Sequence, residues 1–127
     1  MAKKVDLSVI VVSFNTRDLL DKLLVSLKQS RLTPYTLETI VVDNASTDGS
    51  RELVKRNFPQ IKLIANDRNL GFAAANNKGL RQTRGKYLLL LNSDTQVEPD
   101  TLKVMVDFME ANRGFGAATC RVVLPDG

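Results

Sequence analysis

The stretch YLLLLNSDTQVEPD, residues 87–100, decides how this chain is read. Tyr87 to Leu91 are apolar without any recurring polar face, and Asn92, Ser93 and Asp94 then follow as three polar residues. A short apolar run with no period marks a strand buried on both faces, as in a parallel sheet. A carboxylate just past the end of such a strand calls for a partner, because an unpaired charge at the margin of a core is costly.

The same signal recurs along the chain. LSVIVVS (7–13), LETIVVD (37–43), IKLIA (61–65) and KYLLLLN (86–92) are rich in β-branched or aliphatic residues, so all four are expected as buried parallel strands. Between them lie segments with helical spacing: Leu19, Leu20, Leu23, Leu24 and Leu27, then Leu53 and Val54, then Ala73 to Leu80. Pro99 in a first turn, Asp100 beside it, and Leu102, Val106 and Met109 on one face predict a fourth helix. FGAATCRVVL (115–124) is expected to return as a fifth strand.

Strands alternating with helices predict an α/β fold, a doubly wound, mostly parallel sheet with helices on both faces and right-handed crossovers. One domain is expected over residues 1–127. VVLPDG stops on a turn signal, as though the second strand of a hairpin should follow, so the domain is expected to be truncated. The strand near Val122 to Leu124 would then offer an exposed edge for weak homodimer formation.

Composition narrows the chemistry. With 43% hydrophobic residues in 127, a real core is within reach. One cysteine, Cys120, excludes an internal disulfide, and the absence of histidine removes imidazole chemistry and soft-metal sites. Any metal must be hard and oxygen-bound. No apolar run is long enough to span a bilayer and MAKKVD begins no signal peptide, so a cytoplasmic place is expected, with the inner face of the membrane as its outer limit. The net charge of +4 suits an anionic partner. Scattered Lys and Arg, with only Phe14 and Phe72 near the expected site loops, argue against nucleic acid and for a small phosphorylated ligand.

In doubly wound sheets ligands bind outside the carboxyl ends of the strands. Here those ends turn polar together: Ser13, Phe14 and Asn15; Asp43, Asn44, Ala45 and Ser46; Asn92, Ser93 and Asp94. Each has an ordinary explanation alone, since Asn15 or Thr16 can cap the first helix, Ser46 or Thr47 the second, and Asp94 can make an Asx-turn. Asp43 and Asp94 together, each closing a buried run, point to a ligand or metal. Asn92-Ser93-Asp94 offers oxygens that Mg²⁺ or Mn²⁺ accepts, but one carboxylate is a poor cage, so the ligand is expected to bring a diphosphate. Neither GxxxxGK[ST] nor GxGxxG occurs. NDRNLGFAAANNKG (66–79) adds Gly71 for close backbone approach at a helix start and Arg68 for an anion; a tightly packed loop and helix would read the same way.

Taken in order and spacing, SVIVVSFN, VVDNASTDGS, RNLGFAAANNKG and LLLLNSDT resemble the amino-terminal, nucleotide-sugar-binding half of inverting glycosyltransferases of family 2, which have the Rossmann-like GT-A fold. LNSDT and RNLGFAAANN look most like the rhamnosyltransferase-like branch of polysaccharide biosynthesis. The resemblance implies transfer of a hexosyl group, with inversion, from a nucleotide-diphosphate-sugar such as dTDP-rhamnose or a UDP-sugar to a saccharide or lipid-linked acceptor. On matching positions it implies that Val12, Ser13 and Phe14 line the nucleotide pocket, that Asp43 binds the base, and that Arg68, Asn69 and Gly71 border the ribose and diphosphate. Asn92-Ser93-Asp94 stands at the family's Asp-x-Asp position, where the final Asp, here Asp94, holds Mg²⁺ or Mn²⁺ on the diphosphate. The first Asp is Asn92 here, which can still accept from a ribose hydroxyl. The family's general base lies downstream and matches nothing in this chain, so the catalytic residue stays unassigned and donor binding without transfer is expected.

Two other readings stay open on fold alone. One is a stand-alone nucleotide-binding module without catalysis. The other is a nucleotidyltransferase, although SFNTRDLL lacks the glycines such enzymes place after the first strand.

Overall fold

The apolar runs form four strands in the computed structural model, which describes residues 3–127. The elements are β1 (Val5–Ser13), α1 (Arg17–Lys28), β2 (Leu37–Asp43), α2 (Ser50–Asn57), β3 (Lys62–Ala65), α3 (Phe72–Leu80), β4 (Gly85–Asn92) and α4 (Thr101–Ala111). All strand pairs are parallel, in the order β3-β2-β1-β4. The expected α/β class is what these residues build. No described helix is long and apolar enough to cross a membrane.

Register makes the site. β1 pairs with β2 as far as Ser13 opposite Asp43, with β4 as far as Val12 opposite Asn92, and β2 with β3 as far as Asp43 opposite Ala65. The three polar strand ends therefore finish level with one another. On one face of the sheet Leu7, Val9, Val11 and Val41 pack against Leu20, Leu23, Leu24 and Leu27 of α1, Leu53 and Val54 of α2, and Leu102 and Val106 of α4. On the other, Ile10, Ile40 and Val42 pack against Ala75 of α3.

Three expectations are corrected. First, neither β3 nor β4 is buried on both faces: no residue of β3 is buried, and in β4 Tyr87, Leu89 and Leu91 join the larger core whereas Leu88 and Leu90 remain 53% and 48% exposed. The cause is that α3, the helix on that side, lies over β1 and β2 and leaves β4 uncovered. Second, residues 115–124 form no strand. The outer edge of β4 is open among the described residues, yet this segment does not pair with it, and Val122, Val123 and Leu124 lie exposed. Third, α4 begins at Thr101, with Pro99 and Asp100 ahead of it. The Pro99 carbonyl accepts from Arg31 N–H at 2.8 Å and the Asp100 carboxylate takes two bonds from the Arg31 guanidinium, which pins the loop before the helix can start.

α3 approaches the sheet through Gly79, where a Cβ would lie 2.6 Å from Ile10 Cγ2 and 3.1 Å from Val42 Cγ2. Alanine would raise helix propensity by about 1 kcal/mol. We expect the overpacking to exceed that gain, so that Gly79→Ala lowers stability in urea unfolding by up to about 2 kcal/mol net. Equal or greater stability would show that the contact between α3 and the sheet yields without cost.

Candidate functional site

The turns after β1 and β2 are joined to each other as well as closed within themselves. Asn15 sits at φ +50°, a left-handed conformation that asparagine tolerates. Its N–H donates to Ser46 Oγ at 3.0 Å, and its side-chain oxygen accepts from Thr47 N–H at 2.9 Å. Asn44 N–H donates to the Ser13 carbonyl at 2.9 Å. Ala45, at φ +66°, holds a conformation that costs a residue with a Cβ about 1–2 kcal/mol, and the Ser46 N–H bond to Asp43 Oδ2 at 3.0 Å helps to hold it there.

Asp48 does the capping expected of its neighbours. Neither Thr16, at the N-cap of α1, nor Gly49, at the N-cap of α2, makes a side-chain capping bond. Asp48 Oδ2 accepts from Arg17 N–H at 2.9 Å, while Oδ1 accepts from Ser50 N–H at 3.1 Å and Ser50 Oγ–H at 2.5 Å. One carboxylate thus closes the amino-termini of two helices, where their dipoles favour negative charge. Partial burial works against ionisation of Asp48, but the bonds from Ser50 and from the Arg17 and Ser50 amides outweigh it and hold the carboxyl below its ordinary range.

Beneath the crevice lies a polar cluster. Asp43, only 1% exposed, pairs through Oδ2 with Arg51 Nε at 2.6 Å, and Arg51 Nη2 also donates to the Asn66 carbonyl at 2.5 Å. Asn66 Nδ2 donates to Asn44 Oδ1 at 2.9 Å, Lys78 Nζ donates to Asn66 Oδ1 at 2.6 Å, and Asn44 Nδ2 donates to the Gly71 carbonyl at 3.2 Å. Gly71 takes φ +79° and ψ 174°, a region open essentially to glycine, which is how the chain turns from β3 into α3. Asp43 Oδ1 is the buried side-chain atom left without a partner among the described residues. Such an atom needs an explanation, and a ligand donor supplies one.

A cleft of about 450 Å³ opens over the strand ends. Val12 and Phe14 wall it from β1, Asn69 and Gly71 from the approach to α3, and Asn92, Ser93 and Asp94 from the end of β4. Thr16, Leu19, Asn44 and Phe72 complete the wall. Of the remaining residues expected at the site, Ser13 is buried behind Thr16, Asp43 is buried outside the wall, and Arg68 is exposed outside it. Asp94 is the one carboxylate in the wall and enters none of the ion pairs among the described residues. Nor do three or more acidic or cysteine side chains gather anywhere among those residues. The donor set at Asp94 and Asn92 fits a hard cation whose shell is completed by ligand oxygens and water. A second cavity, about 340 Å³ between β4, α4 and residues 116–118, is lined by apolar side chains and Lys86, and holds no such convergence of polar groups.

Sequence reading missed Asp48 and Arg51 as site-building residues. The available signal was Asp-Gly-Ser after a strand end, with the aspartate two residues before Ser50, an arrangement that presents a carboxylate to a helix start. Asp48→Ala should destabilise the fold by about 1–2 kcal/mol at neutral pH, the range for a lost N-cap. Because the folded carboxyl titrates below its unfolded value of about 3.9, its stabilisation is present above that pH and is lost as pH falls through the folded value. Urea titrations of both chains between pH 7 and pH 2 should therefore show the gap closing only in acid; a gap that is absent at pH 7 would overturn the shared-cap account.

The sequence and the fold resemble those of known proteins. The chain is 35% identical over 108 residues to the succinoglycan biosynthesis protein ExoO of Rhizobium meliloti (strain 1021), covering 84% of this chain and 30% of that protein. It is 34% identical over 125 residues to the putative teichuronic acid biosynthesis glycosyltransferase TuaG of Bacillus subtilis (strain 168), covering 94% of this chain and 48% of that one. It thus spans less than half the length of these curated relatives. Among solved structures, S. aureus TarS 1-349 in complex with UDP-GlcNAc superposes with a TM-score of 0.76 at 28% identity, over 86% of this chain and 32% of that one. The mannosyltransferase PcManGT from Pyrobaculum calidifontis, in complex with GDP-Man and Mn²⁺, gives 0.73 at 28% identity, over 84% and 33%. The model of glycosyl transferase family 2 matches residues 8–125, nearly the whole described chain, and the chain belongs to that family.

Proposed function

We propose that this chain carries the donor site of a glycosyltransferase that moves a sugar from a nucleoside-diphosphate-sugar to an acceptor hydroxyl with inversion. The observation that carries the reading is the strand register, which brings the polar ends of β1, β2 and β4 level at one cleft. The base lies against Val12 and Phe14 in the wall, with Ser13 behind them, and Asp43 binds it once its orphaned Oδ1, buried next to the wall, is uncovered by donor entry. Arg68, Asn69 and Gly71 border the ribose and diphosphate from one side, Asn92 and Ser93 from the other. UDP-sugars and dTDP-rhamnose are the donors proposed, and a saccharide or lipid-linked hydroxyl the acceptor.

Asp94, with Asn92 beside it, would hold Mg²⁺ or Mn²⁺ on the diphosphate, and the chemistry supplied there is Lewis-acid stabilisation of the leaving group. The protein's own part is to fix the donor and turn its anomeric carbon toward the open side of the cleft. No side chain of the cleft is assigned as general base, since its one carboxylate, Asp94, is the group that would hold the cation. That same feature favours the second reading, a nucleotide-binding module without catalysis.

Titration calorimetry with UDP and GDP, with and without Mn²⁺, tests the site. We expect nucleoside diphosphate binding that Mn²⁺ strengthens, and Asp94→Asn should abolish most of that strengthening while leaving nucleoside binding nearly intact. No binding of either nucleotide would refute the donor site. Binding indifferent to chelator would refute the role of Asp94.

A further inference from the structure

Thr16 stands at the N-cap of α1, yet its hydroxyl is not spent on the helix. Asp48 already serves the Arg17 amide, which leaves the Thr16 hydroxyl free to donate to Ser93 Oγ at 2.9 Å. Thr16 Oγ1 also lies 3.0 Å from Ser13 Oγ. A threonine hydroxyl has a single proton, and here it is committed to Ser93, so the second contact exists only with Ser13 as donor. The chain of hydroxyls therefore has one direction, from Ser13 through Thr16 to Ser93.

Its two ends differ. Ser13 is fully buried, whereas Ser93, 9% exposed, lines the cleft. Ser93 Oγ accepts from Thr16, and no acceptor among the described residues takes the Ser93 proton. A hydroxyl whose oxygen already accepts is polarised into a better donor. Ser93 also sits between Asn92 and Asp94 in a turn closed by the Thr95 N–H and hydroxyl bonds to the Asn92 carbonyl, at 3.2 and 2.8 Å, so its direction is fixed by the backbone as well.

We propose that Thr16 is a positioning residue for ligand binding: by donating to Ser93 Oγ it turns the Ser93 hydroxyl proton into the cleft, where it is given to an oxygen of the bound nucleoside diphosphate. The inference rests on the donor-site reading above and adds to it the element that orients the β4 end, supplied from the start of α1. A phosphate oxygen and a ribose hydroxyl share the required acceptor chemistry.

The test is a double-mutant cycle on UDP affinity in Mn²⁺, with Thr16→Val, Thr16→Ser, Ser93→Ala and the Thr16→Val/Ser93→Ala pair. Amide NMR spectra of each chain confirm folding, and Thr16→Ala serves if valine crowds the turn. Thr16→Val should weaken UDP binding about tenfold, the scale of one lost hydrogen bond, and Thr16→Ser should restore it. Added to Ser93→Ala, Thr16→Val should cost nothing further, since both remove the same donor. Uridine in parallel separates the sources: a loss with UDP alone places the acceptor on phosphate, and an equal loss with both places it on the ribose. Additive losses, or unchanged UDP affinity in Thr16→Val, would overturn the positioning role while leaving the donor site standing. Failure of the unaltered chain to bind UDP would overturn both.

Discussion

The Asp48 carboxylate, shared between the first amides of α1 and α2, fixes where both helices begin, and the site depends on those two starting points. Each helix leaves its first N–H groups unpaired, and each would ordinarily draw a cap from its own turn. Because one ionised group serves both, the turns after β1 and β2 are held side by side, and the bonds from Asn15 N–H to Ser46 and from Thr47 N–H to Asn15 follow from that closeness. The economy has a further effect. Thr16, relieved of capping, can reach Ser93, so the end of β4 is tied to the same point as the ends of β1 and β2.

This arrangement explains which parts were legible in the sequence. The four strands could be read because a parallel sheet needs continuous apolar runs, and LSVIVVS and LETIVVD provide them. The polar strand ends could be read for the related reason that their level register is set by that same pairing. Coverage could not be read. KYLLLLN supplies apolar side chains to both faces but carries no mark of whether a helix lies over each, and α3 stops short of Leu88 and Leu90. Residues 115–124 have strand-like composition, yet composition does not decide whether a segment pairs with an open edge such as that of β4.

Capping failed for a physical reason too. The rules for N-caps look to the adjacent residue, whereas the acceptor for the Arg17 amide lies 31 positions away. Arg51 was equally hidden, since its partnership with Asp43 crosses from one turn of α2 back to the strand end. Asp43 therefore reads from sequence as a bare carboxylate and stands in the fold as the buried half of a partly exposed ion pair, with only Oδ1 free. A buried carboxylate so neutralised can offer an acceptor without the penalty of an isolated charge.

Neutralisation of that kind bears on the chemistry proposed for the cleft. The charge of Asp43 is offset by Arg51, that of Asp48 by two helix starts, and Asp94 is left as the single carboxylate in the wall. Two like charges about 4 Å apart repel by about 4 kcal/mol at an effective dielectric constant of 20, so a second carboxylate at position 92 would oppose a diphosphate unless a cation were already bound. Asn92 removes that opposition and, with it, most of the pull on a free cation. On the donor-site reading the protein therefore gains little by binding the metal first. On that reading the diphosphate would bring most of the cation's oxygens, Asp94 would add a carboxylate, and the Ser93 hydroxyl would remain for an oxygen of the nucleotide.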